Sequence, residues 1–102
     1  REVIGYRVQA RDGRAGRIED LVFDLRDWSI YYLVVAPRLP FTGRRVLLDP
    51  RLVGRIDWGG RRVHVDRPAA VIRGAPPFAS LADITPDLAA LLDSHFGLGV
   101  RG

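Results

Sequence analysis

Apolar and polar residues alternate from the start of the chain. Ile4, Tyr6 and Val8 interleave with Gly5, Arg7 and Gln9, the period of two that turns one side of a strand to a core and the other to water. The pattern predicts a strand over residues 3–9, ended by Asp12-Gly13, a pair suited to the positive φ of a tight hairpin turn. A return strand is predicted over about residues 16–24. Its apolar residues fall on both parities, Ile18 and Val22 on one and Leu21 and Phe23 on the other, which calls for a bulge or for burial on both faces. After a turn at Asp24-Leu25-Arg26-Asp27 comes the most apolar stretch, residues 28–35, predicted as a central strand. Ile30, Tyr32 and Val34 make one of its faces and Tyr31, Leu33 and Val35 the other. A barrel interior covers only one of these. The second needs a helix, a neighbouring domain or a partner chain, because an exposed row of Tyr, Leu and Val invites aggregation.

The pattern then shortens. Residues 37–43 read as a loop presenting Leu39, Pro40 and Phe41, and Arg45-Val46-Leu47-Leu48 as a short strand ended by Asp49-Pro50. Another strand is expected over residues 52–56. Trp58-Gly59-Gly60-Arg61 is a glycine turn into residues 62–66, where Val63 and Val65 point inward and His64 points with the charges. Five or six short strands with a turn every ten residues or so favour a small all-β barrel or sandwich over any βαβ fold. Residues 66–73 suit one or two helical turns, and Gly74-Ala75-Pro76-Pro77 an extended linker. A helix over about residues 86–96 is marked by Thr85 as N-cap, Pro86 at the first helical position, Asp87 in the first turn and Gly97 beyond the end. Leu88, Leu91, Leu92 and Phe96 form a stripe that suits the uncovered face of the central strand.

Composition narrows the chemistry. A chain of 102 residues, 47% apolar and 27% charged, fits one globular core. The absence of cysteine excludes disulfides, thiolate nucleophiles and cysteine-rich zinc sites. No run of about 18 apolar residues exists, so no membrane insertion is expected in this segment, and the amino end does not resemble a signal peptide. A cytoplasmic location follows as an expectation. The chain does not begin with Met, so it is expected to be a piece of a longer protein, and any anchor or second domain would lie outside it. The net charge of +4 and pI near 10.6 invite a nucleic-acid reading. Against it, all 16 basic residues are arginine, as coding bias in a GC-rich genome produces. They are spread along the chain, adjacent only at Arg44-Arg45 and Arg61-Arg62, so they read as a solvated face.

Taken together, Ile4-Gly5-Tyr6, Asp12-Gly13, Gly16-Arg17-Ile18-Glu19-Asp20 and Asp27-Trp28 leading into Tyr32-Leu33-Val34-Val35 resemble the opening of a PRC-barrel domain. Gly43-Arg44-Arg45-Val46-Leu47-Leu48, Asp57-Trp58 and Arg62-Val63-His64-Val65 are similar to its second half. The resemblance implies a small, partly open β-barrel of about six strands with a C-terminal α-helix: a barrel domain over residues 1–78 and an extension over residues 79–102. It also implies docking onto larger assemblies, as the barrels of the photosynthetic reaction-centre H subunit and of RimM-type ribosome maturation factors do. Leu91-Leu92-Asp93-Ser94-His95-Phe96-Gly97 is similar to the end of units carried in tandem by bacterial proteins. The chain looks like the second such unit, which would mean that a first barrel is missing either from this sequence or from its gene. Ala15 departs from the family, which usually has a larger aliphatic residue there.

No catalytic constellation emerges, so the chain is read as a non-enzyme without cofactor or metal. His64 and His95 lie in different elements with no third ligand in a metal spacing. Glu19, Asp20, Asp24 and Asp27 suggest a cation site or an acid–base pair, but Asp24 and Asp27 bracket a turn, where short carboxylates cap backbone amides. Ser29, Ser80 and Ser94 have neither a glycine elbow nor a His–Asp arrangement. Gly59-Gly60 reads as a hairpin turn and not a phosphate cradle. The leading expectation is a protein-interaction module that docks through Tyr31, Leu33, Val35, Leu39 and Phe41, most concretely as a homodimer or a tandem-type barrel pair. The alternative is an RNA- or ribosome-associated domain with a basic face of Arg44, Arg45, Arg61 and Arg62, joined by Trp28 and Trp58.

Overall fold

The computed structural model of the chain describes residues 3–36 and 44–99. Among them, seven strands form one sheet: β1 (Arg7–Ala10), β2 (Gly13–Phe23), β3 (Ile30–Ala36), β4 (Arg45–Leu48), β5 (Val53–Asp57), β6 (Arg62–Val65) and β7 (Pro77–Phe78). Their order is β5-β6-β1-β2-β3-β4-β7, and every neighbouring pair is antiparallel except the parallel β1–β6 pair. The sheet does not close, leaving β5 and β7 as edges. The expected all-β, partly open barrel with a C-terminal helix is the fold found. The strand beyond the expected six is β7, the last residue of the proline-rich linker and the Phe78 after it, laid against β4.

Irregular pairing explains the two parities of β2. Its register with β3 shifts between Ile18 and Asp20 and again between Val22 and Phe23, and the β1–β2 pairing shifts between Val8 and Gln9. Each shift moves the following apolar residue to the other face. Gly16 is required here: its φ is +151°, and a Cβ would run into the carbonyl of Ala36. The neighbouring Ala15 is completely buried. The hairpin turn before it reaches a second element, since the Asp12 carboxylate accepts the backbone N–H of Ala69 at 2.8 Å and so holds the start of α1 (Ala69–Arg73).

In β3 four consecutive residues, Tyr32 to Val35, are buried, so both faces of the strand are covered. The chain's own α2 (Pro86–Phe96) faces it, across a groove of about 540 Å³ lined by Tyr31, Tyr32, Ala89, Ala90 and Asp93 among others. The helix begins and ends where its sequence signals place it. Thr85 Oγ1 accepts from the Leu88 N–H, and Gly97 has the left-handed φ of 71°. Leu92 and Phe96 are buried and Leu88 is half-buried, whereas Leu91 is exposed. The working stripe is thus i, i+4, i+8, narrower than expected, because a residue 100° further round the helix leaves the contact. Burying Leu92 and Phe96 stabilises the docked helix by about 1.5–3 kcal/mol each.

Polar ties fasten the helix end. Arg67 Nε and Nη2 donate to the Phe96 carbonyl at 3.1 and 2.8 Å, and His95 Nε2 donates to the Val71 carbonyl at 2.7 Å. Arg51 Nη2 reaches Asp93 at 3.0 Å and Asp49 at 2.9 Å. Asp49 is buried, and it caps the 3-10 turn Pro50–Leu52 by accepting the Arg51 N–H at 2.9 Å.

Candidate docking site

Between β2 and β3 the chain turns through residues 24–29, and polar side chains hold this turn from within. The Asp24 carbonyl accepts the Trp28 N–H at 2.7 Å, and the Asp24 N–H donates to the Ser29 carbonyl at 2.8 Å. The Asp24 carboxylate accepts the Arg26 backbone N–H at 3.0 Å and the Arg26 guanidinium at 3.1 and 2.8 Å. Asp27 accepts the Ser29 N–H at 3.0 Å and the Ser29 hydroxyl at 2.7 Å. These bonds to the charged form lower both carboxyls. Asp24 is brought to about 2 by the Arg26 side chain and then the Arg26 N–H, and Asp27 is lowered by the Ser29 N–H and then the hydroxyl. The acidic residues of this region are therefore turn-formers. Glu19 is paired with Arg45, Asp20 accepts the Leu21 N–H, and among the described residues no three metal-ligating side chains converge.

What the turn presents is apolar. Leu25 is 75% exposed and Trp28 71%, flanked by Phe23 at 41% and Ile30 at 38%. Phe23 and Ile30 are cross-strand partners, and the Phe23 and Trp28 rings meet edge to face at 6.5 Å. Trp28 has a φ of 60°, the left-handed region that a bulky side chain occupies at a cost. The expected strand start at Trp28 is corrected on this ground: β3 begins at Ile30, and Trp28 projects from the turn.

The residues expected to dock are redistributed. Leu33 and Val35 keep only 4% and 1% of their surface, so they belong to the core and offer nothing to a partner. Residues 32–35 are all buried, and α2 stands across the groove from Tyr31 and Tyr32. Tyr31 is half-buried, stacked on Tyr32 at 5.0 Å. Leu39 and Phe41 lie outside the described residues. Arg45 begins β4 with Arg44 just before it, Arg62 begins β6 with Arg61 just before it, and three strands separate β4 from β6 in the sheet. They do not form one face, and Arg45 is engaged by Glu19. Trp58 is exposed at the β5–β6 turn, edge-on to Tyr6 at 6.0 Å. That turn is a hairpin closed by Asp57, which accepts the Gly60 N–H at 2.9 Å.

The exposed tip was missed in the sequence because a tryptophan at a strand start normally packs at a barrel end. The available signal was the interleaving of Phe23, Leu25 and Trp28 with turn-forming aspartates, which puts apolar side chains where a turn carries polar ones.

No helix among the described residues is long and apolar enough to cross a membrane. No curated protein matches the chain in sequence. The family model for the PRC-barrel domain matches residues 1–72, all of the sheet but β7 together with most of α1. The chain belongs to the PRC-barrel domain family.

Proposed function

We propose that this barrel is a non-catalytic docking module whose contact point is the tip formed by Phe23, Leu25, Trp28 and Ile30. PRC-barrel domains mediate protein interactions, and the observation carrying this assignment is Trp28: a large ring, 71% exposed, on a turn locked in a costly conformation. Strained backbone held by its surroundings concentrates at ligand-contacting sites. Tryptophan is the residue type most enriched at interface hot spots. Rigid presentation lowers the ordering cost of binding.

Four such side chains expose on the order of 400 Å² of apolar surface, about half of the ~800 Å² each partner contributes to a standard complex. The tip is therefore the centre of a larger contact, to which the half-buried Tyr31 beside it is proposed to add. A second barrel, in a homodimer or a tandem pair, is one occupant of this kind. A photo-crosslinking amino acid at Leu25 of the full-length protein in its native host should give a discrete adduct that Trp28→Ala removes. Mass spectrometry of the adduct separates a second copy from a different protein. No adduct, or one indifferent to Trp28→Ala, would overturn the reading.

A further inference from the structure

Strand register collects arginines that the sequence scatters. On the solvent side of the sheet, Arg17 of β2, Arg7 of β1, Arg62 of β6 and Asp57 of β5 stand opposite one another in one cross-strand row. The next row holds Arg14, Gln9, His64 and Arg55, and beyond it Arg11 pairs with Asp66 at 2.8 Å. The alternate residues Val8, Ala10, Ile18, Val63 and Val65 are all buried, which fixes the arginine side as the outer one.

The charges on this side do not balance. Both carboxylates are engaged, Asp66 by Arg11 and Asp57 by the Gly60 N–H, with Arg62 at 3.8 Å. The nearby Glu19 is taken by Arg45. Arg7, Arg17 and Arg55 are exposed, and their guanidinium groups have no hydrogen bond or ion pair among the described residues. Like charges directly opposite one another on a sheet are destabilising, so an anion laid across the row would stabilise it. Gly54 contributes no side chain, and a shallow groove of about 480 Å³ runs there between Gln9, Arg11, Arg55, His64 and Asp66. At its floor His64 Nε2 is buried without a hydrogen-bond partner. Trp58, more than half exposed, follows directly on Asp57 at the end of the first row.

We infer that this face binds a single-stranded nucleic acid through its phosphate backbone. Strands lie about 4.8 Å apart and alternate residues about 6.6 Å apart, so the arginines spread over roughly 14 Å in each direction, an area that meets several successive phosphates. Guanidinium forks bind phosphate oxygens in bidentate fashion, and an exposed tryptophan beside a basic surface gives an unpaired base a ring to stack on. An acidic protein segment would satisfy the arginines but make no use of the exposed part of the Trp58 ring. Dispersal along the chain is thus no argument for a solvated face, since register decides which charges become neighbours.

The test uses fluorescent twelve-residue oligo-U and oligo-dT with the full chain, followed by anisotropy. Both should bind comparably, because phosphates and not sugars are contacted. Affinity should fall about tenfold or more between 50 and 200 mM salt, as about three phosphate contacts require. Arg7→Gln/Arg17→Gln should lose at least tenfold and flatten the salt dependence. Arg44→Gln/Arg73→Gln, which removes two exposed arginines off this face for the same change in charge, should stay within about twofold. Thermal melting of both variants checks that they remain folded. Equal losses from the two pairs, binding to only one of the two sugars, salt-insensitive binding, or binding to a poly-glutamate peptide or anionic vesicles in place of the oligonucleotides would each overturn the inference. None of these readouts involves the β2–β3 tip, so its docking assignment stands or falls separately.

Discussion

At one end of β2 the chain turns through Asp12 and Gly13, and at the other through residues 24–29. Both turns use aspartate carboxylates to accept backbone N–H groups. At the first, the acceptor belongs to the turn and the donor to another element: Asp12 holds Ala69 at the start of α1, and Gly13 takes up the unusual φ of 146°. At the second, donors and acceptors all lie within the turn, and the left-handed position falls on Trp28 instead of a glycine. The first turn is an anchor for the rest of the fold. The second is rigid for its own sake and exposes its largest side chain, which marks a surface prepared for contact.

Substitutions should separate the two ends by sign. On the anchored side, Gly16→Ala has the largest effect, a loss of about 2–4 kcal/mol, because the new methyl meets the Ala36 carbonyl at a φ unfavourable to L residues. The denaturation midpoint should fall with little change in slope. Asp12→Ala should cost about 1 kcal/mol by leaving the Ala69 N–H without its acceptor. At the tip the sign reverses. Trp28→Gly should raise stability by about 0.5–1 kcal/mol, as relief of the left-handed strain outweighs the loss of one exposed ring contact, while the Leu25 crosslink disappears. A drop in melting temperature with Trp28→Gly would show that the ring serves the fold, and the contrast between the turns would collapse.

The anchored half of this comparison was readable in the sequence and the tip was not. Alternation around Val8 and Val63, the Asp12-Gly13 pair and the Thr85-Pro86 to Gly97 frame each express a local rule that one short segment satisfies alone. The burial of Leu33 and Val35 and the gathering of Arg7, Arg17, Arg55 and Arg62 depend on which strand pairs with which. The shifts at Val8/Gln9 and Ile18/Asp20 break the phase that a pattern would extrapolate. The family resemblance supplied the fold, while β7, only two residues long and begun by the last proline of the linker, carries too little pattern to be recognised. Trp28 misled for the opposite reason: local propensity was clear, and the turn overrode it.

Acid offers the finest test of the self-contained turn. The Asp24 carboxyl stands at about 2, held down first by the Arg26 side chain and then by the Arg26 N–H, and the Ser29 N–H and hydroxyl lower Asp27. Both lie below their value in an unfolded chain, near 3.9. The stabilisation these bonds give is therefore fully present above about pH 4 and is lost as the pH falls toward 2 and Asp24 takes up its proton. In a Trp58→Phe background the fluorescence anisotropy of Trp28 should stay constant from pH 7 to 4 and then fall between pH 4 and 2, as the turn loosens around it. Asp24→Asn should show the lower anisotropy already at pH 7 and lose most of the acid step. An anisotropy that stays level down to pH 2, or an acid step the same size in Asp24→Asn, would mean that the carboxylates are not what holds Trp28 in place.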